Sequence, residues 1–302
     1  MRIGIDLGGT KIELIALDAR GNEIYRQRVP TPRGDYPATV RTLSAIVREC
    51  EEQIGPGATV GVGIPGALSS ATGRIKNANS TWLIGRPFRQ DLETALGREV
   101  RMANDANCFA LSEATDGAGS GAPVVFGVIL GTGVGGGIVV NGSVLTGANA
   151  IAGEWGHNPL PLPRGEDLPL PDCYCGRQGC IEMYLCGSAL ARQAGLGIDA
   201  PGIVARAKQG DAHCEAVLRR YEDRLARSLA GVINILDPDV IVLGGGLSNI
   251  ERLYANVPRL WLPHVFSDQV ITRLARHAHG DSSGVRGAAW LWNKDANGEL
   301  AR

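Results

Sequence analysis

Three cysteines and one histidine lie close enough along the chain to close around a metal ion. His157 is followed by Cys173-Tyr174-Cys175-Gly176-Arg177-Gln178-Gly179-Cys180, and three thiolates with one imidazole make a complete tetrahedral set for Zn²⁺. The Cys-x-Cys step is tighter than in common zinc knuckles. The loop between holds five prolines, Pro159, Pro161, Pro163, Pro169 and Pro171. The alternatives are a Cys173–Cys180 disulfide or free thiols. A strand pattern from Met1 leaves no room for a signal peptide, so the expected compartment is the reducing cytoplasm, which favours the metal. A closed site of this kind is structural. Cys50, Cys108, Cys186 and Cys214 have no partner pattern and read as small core residues.

Two glycine turns come next. Asp6-Leu7-Gly8-Gly9-Thr10-Lys11 ends a strand in a carboxylate and follows it with exposed backbone N–H groups. That suits a phosphate and its Mg²⁺, though a plain hairpin turn has the same residues. Gly131-Thr132-Gly133-Val134-Gly135-Gly136 matches the dinucleotide fingerprint, with Glu154 further on. That fingerprint requires a helix after the glycines, whereas Ile138-Val139-Val140 and the turn Asn141-Gly142 follow. A second phosphate-cradling hairpin fits better, and no P-loop motif occurs. Asn104-Asp105 stands where a strand meets a helix, so Asp105 reads either as an N-cap or as a base facing a cleft. Glu154 and Glu182 flank the cysteine cluster and could take bidentate hydrogen bonds from sugar hydroxyls, with Trp155 and Trp82 either stacking on a sugar or lying in the core.

The elements that must position these residues alternate between strand and helix, which makes the chain α/β. Strands are expected at 3–7, 12–17, 59–64, 99–103, 124–130, 138–140 and 240–243, and helices at 37–53, 106–115, 214–236 and 283–292. The break Asp116-Gly117-Ala118-Gly119-Ser120-Gly121 divides a first domain, 1–117, from a second, 118–283, with a metal loop at 157–180. The elements after Asp237 suit either domain, so the last helix, about 284–302, could pack back on the first.

Composition narrows the function classes. The 302 residues carry 30 Lys plus Arg against 31 Asp plus Glu, which leaves no electrostatic footprint for nucleic acid or an anionic membrane. Residues 117–153 are uncharged, but 12 of those 37 are glycine, so they read as buried strands and a turn rather than a membrane span.

Together these motifs resemble the ROK family, the sugar kinases and sugar-responsive repressors of the actin-like ATPase superfamily, over the whole chain. The resemblance rests on Asp6 to Lys11, Asn104-Asp105-Ala106-Asn107-Cys108, Gly131 to Gly135, Gly153-Glu154-Trp155-Gly156-His157, Cys173 to Glu182 and Gly244-Gly245-Gly246. Lys76-Asn77-Ala78-Asn79-Ser80-Thr81-Trp82-Leu83 and Gly280 to Gly287 are similar to the bacterial fructokinases of the family. The resemblance implies a two-domain actin-like (RNase H-like) fold whose interdomain cleft closes over ATP·Mg²⁺ and a hexose. Fructose leads as substrate, ahead of mannose, glucose and N-acetylated hexosamines. Asp105 would be the base and Asn104 a sugar ligand. Glu154, His157 and Glu182 would hold sugar hydroxyls, with His157 also on zinc, and Gly66 and Asn79 would line the sugar site. Asp6, Gly8, Gly9, Thr10, Lys11, Thr132, Gly133, Val134, Gly135 and Gly136 would cradle phosphate, and Gly245 would border the adenosine. A homodimer is the implied assembly. The rivals are a repressor, which carries a helix-turn-helix segment ahead of the Asp6 motif, and a sugar sensor without catalysis.

Overall fold

The computed structural model describes residues 1–78, 80–280 and 283–292. In the first half the chain forms β1 (Arg2–Leu7), β2 (Lys11–Leu17), β3 (Glu23–Pro30), α1 (Tyr36–Ile54), β4 (Thr59–Ile64), β5 (Ala67–Leu68), β6 (Ile75–Lys76), α2 (Phe88–Leu96), β7 (Val100–Asn104) and α3 (Asp105–Thr115). There follow β8 (Val124–Leu130), β9 (Val134–Val140), β10 (Ser143–Val144), α4 (Glu182–Leu185), α5 (Gly187–Ala194), α6 (Ala200–Lys208), α7 (Ala212–Leu236), β11 (Val240–Gly244), α8 (Arg252–Leu260), β12 (Arg273–Arg276) and α9 (Ser283–Trp290).

Two five-stranded sheets share one plan. Their orders are β3-β2-β1-β4-β7 and β10-β9-β8-β11-β12. In the first, β1 runs antiparallel to β2, with Asp6 opposite Glu13, and parallel to β4, which is parallel to β7. In the second, β11 is parallel to both β8 and β12, and β9 turns antiparallel into β10 at Asn141-Gly142. Parallel strands buried on both faces read as continuous apolar runs, and β11 (Val240–Gly244) is buried throughout. β3, a polar edge strand, is not apparent in the hydrophobic pattern, and the expected strand at Ile138 begins earlier, at Val134.

Contacts divide the chain into two compact units. Among the described residues, the first comprises those of 1–121 and 137–152 and those from 278 onward, and the second 122–136 and 153–277. Residues 137–152 thus cluster with the first unit, whereas the sequence reading put them in the second.

In the first unit, α1 starts at Asp35, whose carboxylate accepts from the Ala38 N–H at 2.8 Å, and buries Leu43, Ile46, Val47 and Cys50. α9 touches both the sheet and α3 through glycine. A methyl group on Gly61 would lie 1.8 Å from the Ala288 carbonyl oxygen, and one on Gly287 only 1.6 Å from that of Cys108. Backbone-to-backbone packing this close excludes any side chain. In the second unit, the Asp211 carboxylate caps α7 through the N–H groups of His213 and Cys214, and the helix buries Leu218, Tyr221, Leu225 and Leu229. Val232 and Leu236 are only half-buried, and near the helix end Ile233 takes the core position.

Candidate functional site

In the first unit, the ends of parallel strands deliver the acidic residues. β1 ends just after Asp6, and the turn beyond it is closed by the Gly8 N–H donating to the Lys11 carbonyl at 3.0 Å. Gly9, Thr10 and Lys11 are exposed at its tip. β7 ends at Asn104, and the helix α3 starts at once with Asp105. The N-cap is Asn104 rather than Asp105: its Oδ1 accepts from the Asn107 N–H at 2.8 Å. Asp105 therefore stands exposed in the first turn, accepting from the Ala106 N–H.

The Asp6 carboxyl feels the charge of Asp105. Burial first, then the charges of Asp105 and Glu13, push the Asp6 carboxyl up to about 6, against a smaller pull from Lys11. Asp105 is open to solvent on one side, yet lost hydration on the other raises its carboxyl as well, with backbone N–H groups opposing. Glu13 was not singled out from sequence. It is 2% exposed, receives Arg28 at 2.9 Å together with Arg26, and draws Lys11 to 3.9 Å. Its signal is a charge inside the apolar run of β2. In the first turn of α3, the buried Oδ1 of Asn107 has no hydrogen-bond partner among the described residues. Gly66 lies between β4 and β5, and Asn79 falls outside the described residues.

The second unit carries the other predicted residues. Thr132 and Gly133 form the turn from β8 into β9, which opens with Val134, Gly135 and Gly136. Glu182, at the start of α4 and 8% exposed, accepts from the Val134 N–H at 2.8 Å. It clamps the glycine turn through one oxygen. Gly245 follows β11 and lies against the Leu130 carbonyl. Glu154 is exposed and immediately precedes a short 3-10 turn, Trp155–His157. Trp155 is 4% exposed, donates to the Gly135 carbonyl at 2.9 Å and meets Phe126 edge-on. It is a core residue, unavailable for stacking. Trp82, in the first unit, is half-buried against the core and donates to Thr39.

The ligand atoms of His157, Cys173, Cys175 and Cys180 all lie within 4.8 Å of one another, and all seven cysteines are free thiols. Cys173 Sγ is 3.6 Å from His157 Nδ1, and Cys175 Sγ is 3.6 Å from Cys180 Sγ. Tetrahedral zinc with ordinary bond lengths has ligand–ligand edges of about 3.6–3.8 Å. The donor set therefore fits the ion in chemistry, and two of its edges already have that spacing. The backbone N–H and guanidinium of Arg177 hold the Cys175 thiol below its usual range, whereas burial and the neighbouring cysteines push the Cys180 thiol up. His157 turns Nε2 away from the sulfurs, onto the Tyr174 hydroxyl at 2.9 Å. A cavity of about 550 Å³ opens beside it, lined in part by His157, Asp172, Arg177 and Gln178.

The family profile described as ROK matches residues 2–295. The chain belongs to the ROK family. Its similarity to an N-acetyl-D-glucosamine kinase of Yersinia enterocolitica is 42% identity over 301 residues, covering 96% of this chain and 99% of that one. Among solved structures, the ROK hexokinase of Thermus thermophilus superposes with a TM-score of 0.84 at 32% identity, covering 96% of both chains. A ROK family glucokinase from Streptomyces griseus, in complex with glucose and AMPPNP, gives 0.74 at 28% identity, covering 95% of this chain and 97% of that one. The fold is accordingly the actin-like sugar-kinase fold of the ROK proteins. Among the described residues, no helix is long and apolar enough to cross a membrane.

Proposed function

We propose that this ROK protein is a cytoplasmic, ATP-dependent kinase of N-acetyl-D-glucosamine that transfers the γ-phosphoryl group to a hydroxyl of the sugar. The observation that carries the chemistry is Asp105, exposed at the first turn of α3 with its pKa raised and Asp6 within electrostatic reach. Its free thiols and use of ATP suit the cytoplasm. The acceptor is argued from the relative at 42% identity, so N-acetyl-D-glucosamine replaces fructose as the leading substrate.

Phosphoryl transfer asks a protein mainly for alignment and charge neutralisation. In the first unit, Asp105 accepts the proton of the attacking hydroxyl late, as the bond to phosphorus forms, because even a raised aspartate is too weak a base for a free sugar hydroxyl. Asn104 turns its amide toward the sugar while its oxygen caps the helix. The N–H groups of Gly9 and Thr10, at the exposed tip of the turn that the Gly8 N–H closes, take phosphate oxygens. The acidic set of Asp6, Asp105 and Glu13 is costly when fully ionised, which fits Asp6 as the residue that would hold Mg²⁺ through the phosphates. When bound, that ion neutralises charge developing on the phosphates. In the second unit, the turn of Thr132 to Gly136 cradles phosphate and Gly245 borders the adenosine. Glu154, the outer oxygen of Glu182 and Nε2 of His157 take sugar hydroxyls, the last by displacing Tyr174. His157, Cys173, Cys175 and Cys180 would hold zinc, which fixes the loop between them.

The test is sugar-dependent ADP release. N-acetyl-D-glucosamine should exceed fructose in kcat/KM, and the reverse order would return the assignment to fructose.

A further inference from the structure

The proline-rich segment between His157 and Cys173 has no part in that chemistry, yet it is anchored by buried charge. Asp167, in its middle, is 4% exposed. Its Oδ1 accepts from Arg224 Nε at 2.6 Å, and its Oδ2 from Arg227 Nη2 at 2.9 Å and the Arg164 N–H at 3.0 Å. Both arginines belong to α7 and are 3% and 2% exposed. Arg227 also donates to the Leu162 carbonyl at 2.8 Å and, through Nε, to Asp223 at 3.0 Å. On the far side the Tyr184 hydroxyl donates to the Asp167 carbonyl at 2.8 Å. Tyr184 lies in α4, the helix that opens with Glu182.

Two guanidiniums and a carboxylate out of water are a poor way to gain stability, since apolar residues of equal volume often serve as well or better. What they add is direction. Planar, multiply bonded forks admit one geometry for the groups they hold. Here those groups belong to the segment whose ends are His157 and Cys173 and, through Tyr184, to the helix that carries Glu182. We propose that Asp167, Arg224 and Arg227 are positioning residues for sugar binding, holding His157 and Glu182 in place alongside the metal. This rests on the sugar-kinase reading above.

Asp167→Asn keeps the shape and removes the charge. The sugar KM should rise by about 10-fold or more while the KM for ATP stays unchanged. Zinc should pass from the loaded protein to a colorimetric chelator about 10-fold faster than from wild type. A purely structural role would lower Tm and the active fraction but leave sugar KM and zinc release at wild-type values, and that result overturns the proposal. Should Asp167→Asn fail to fold, Asp223→Asn at the half-exposed rim carries the test. It should shift both readings the same way by about threefold, and wild-type values there overturn the proposal equally. Zinc release needs no sugar, so it reads the positioning role separately. Absence of turnover in the wild type would count against the kinase reading alone.

Discussion

Two carboxylates with raised pKa values bear different consequences. Asp105 acts ionised, so kcat should fall on the acid side as pH drops through its raised pKa. Asp105→Asn should lose about 10²–10⁴ of kcat while ADP binding survives in calorimetry. Near wild-type turnover in that variant would remove Asp105 from the mechanism. Asp6 titrates at about 6 when folded, against a reference of 3.8. Between those values the folded protein holds a proton that the unfolded chain has lost, so ligand-free stability falls as pH rises from about 4 to 6. Asp6→Asn should therefore be more stable than wild type at pH 7, by about 2–3 kcal/mol, and equal to it near pH 4. Urea unfolding at the two pH values measures this, and equal stability at pH 7 would contradict it. Both aspartates were legible from the chain because a strand end followed by a turn or helix start is a local pattern. Glu13 was not, since its burial beside Asp6 follows from the pairing of β1 with β2.

Elements were legible where packing writes a period into the chain. α7 and α1 show their buried faces as spaced apolar residues, and β11 as an unbroken apolar run. β3 gave no such signal because an edge strand can be polar on both faces. The close fit of α9 was also hidden, since a glycine that admits a neighbouring backbone looks like one that makes a turn. Gly287→Ala must displace the Cys108 carbonyl and should cost about 1–3 kcal/mol or more in thermal unfolding. A neutral result would mean that α9 sits further from α3. The cluster of His157, Cys173, Cys175 and Cys180 was legible because its members lie close in sequence. Its anchor was not, because Asp167 meets Arg224 and Arg227 across 57 and 60 residues. Stripping zinc with a chelator, or Cys175→Ser, should weaken sugar binding by about 10-fold or more and leave ADP binding near wild type. Intact sugar affinity with the zinc gone would refute that coupling.

At the scale of the molecule, the two five-stranded sheets share one strand plan. The division between units follows contacts rather than sequence order, which is why 137–152 joins the first unit. Glu113 shows how that unit is tied together. It is fully buried and accepts from the N–H groups of Ala118 and Ala278 and from the Ser283 hydroxyl. The acceptor sugar was the least legible feature, since motifs shared by a family encode the transfer more than the acceptor. The most direct measurement is ADP release from Mg·ATP with N-acetyl-D-glucosamine, fructose, mannose and glucose in parallel, with Asp105→Asn as control. Turnover highest with N-acetyl-D-glucosamine and lost in the control is the predicted result. No turnover above the sugar-free rate with any of the four, or equal turnover in the control, would contradict it.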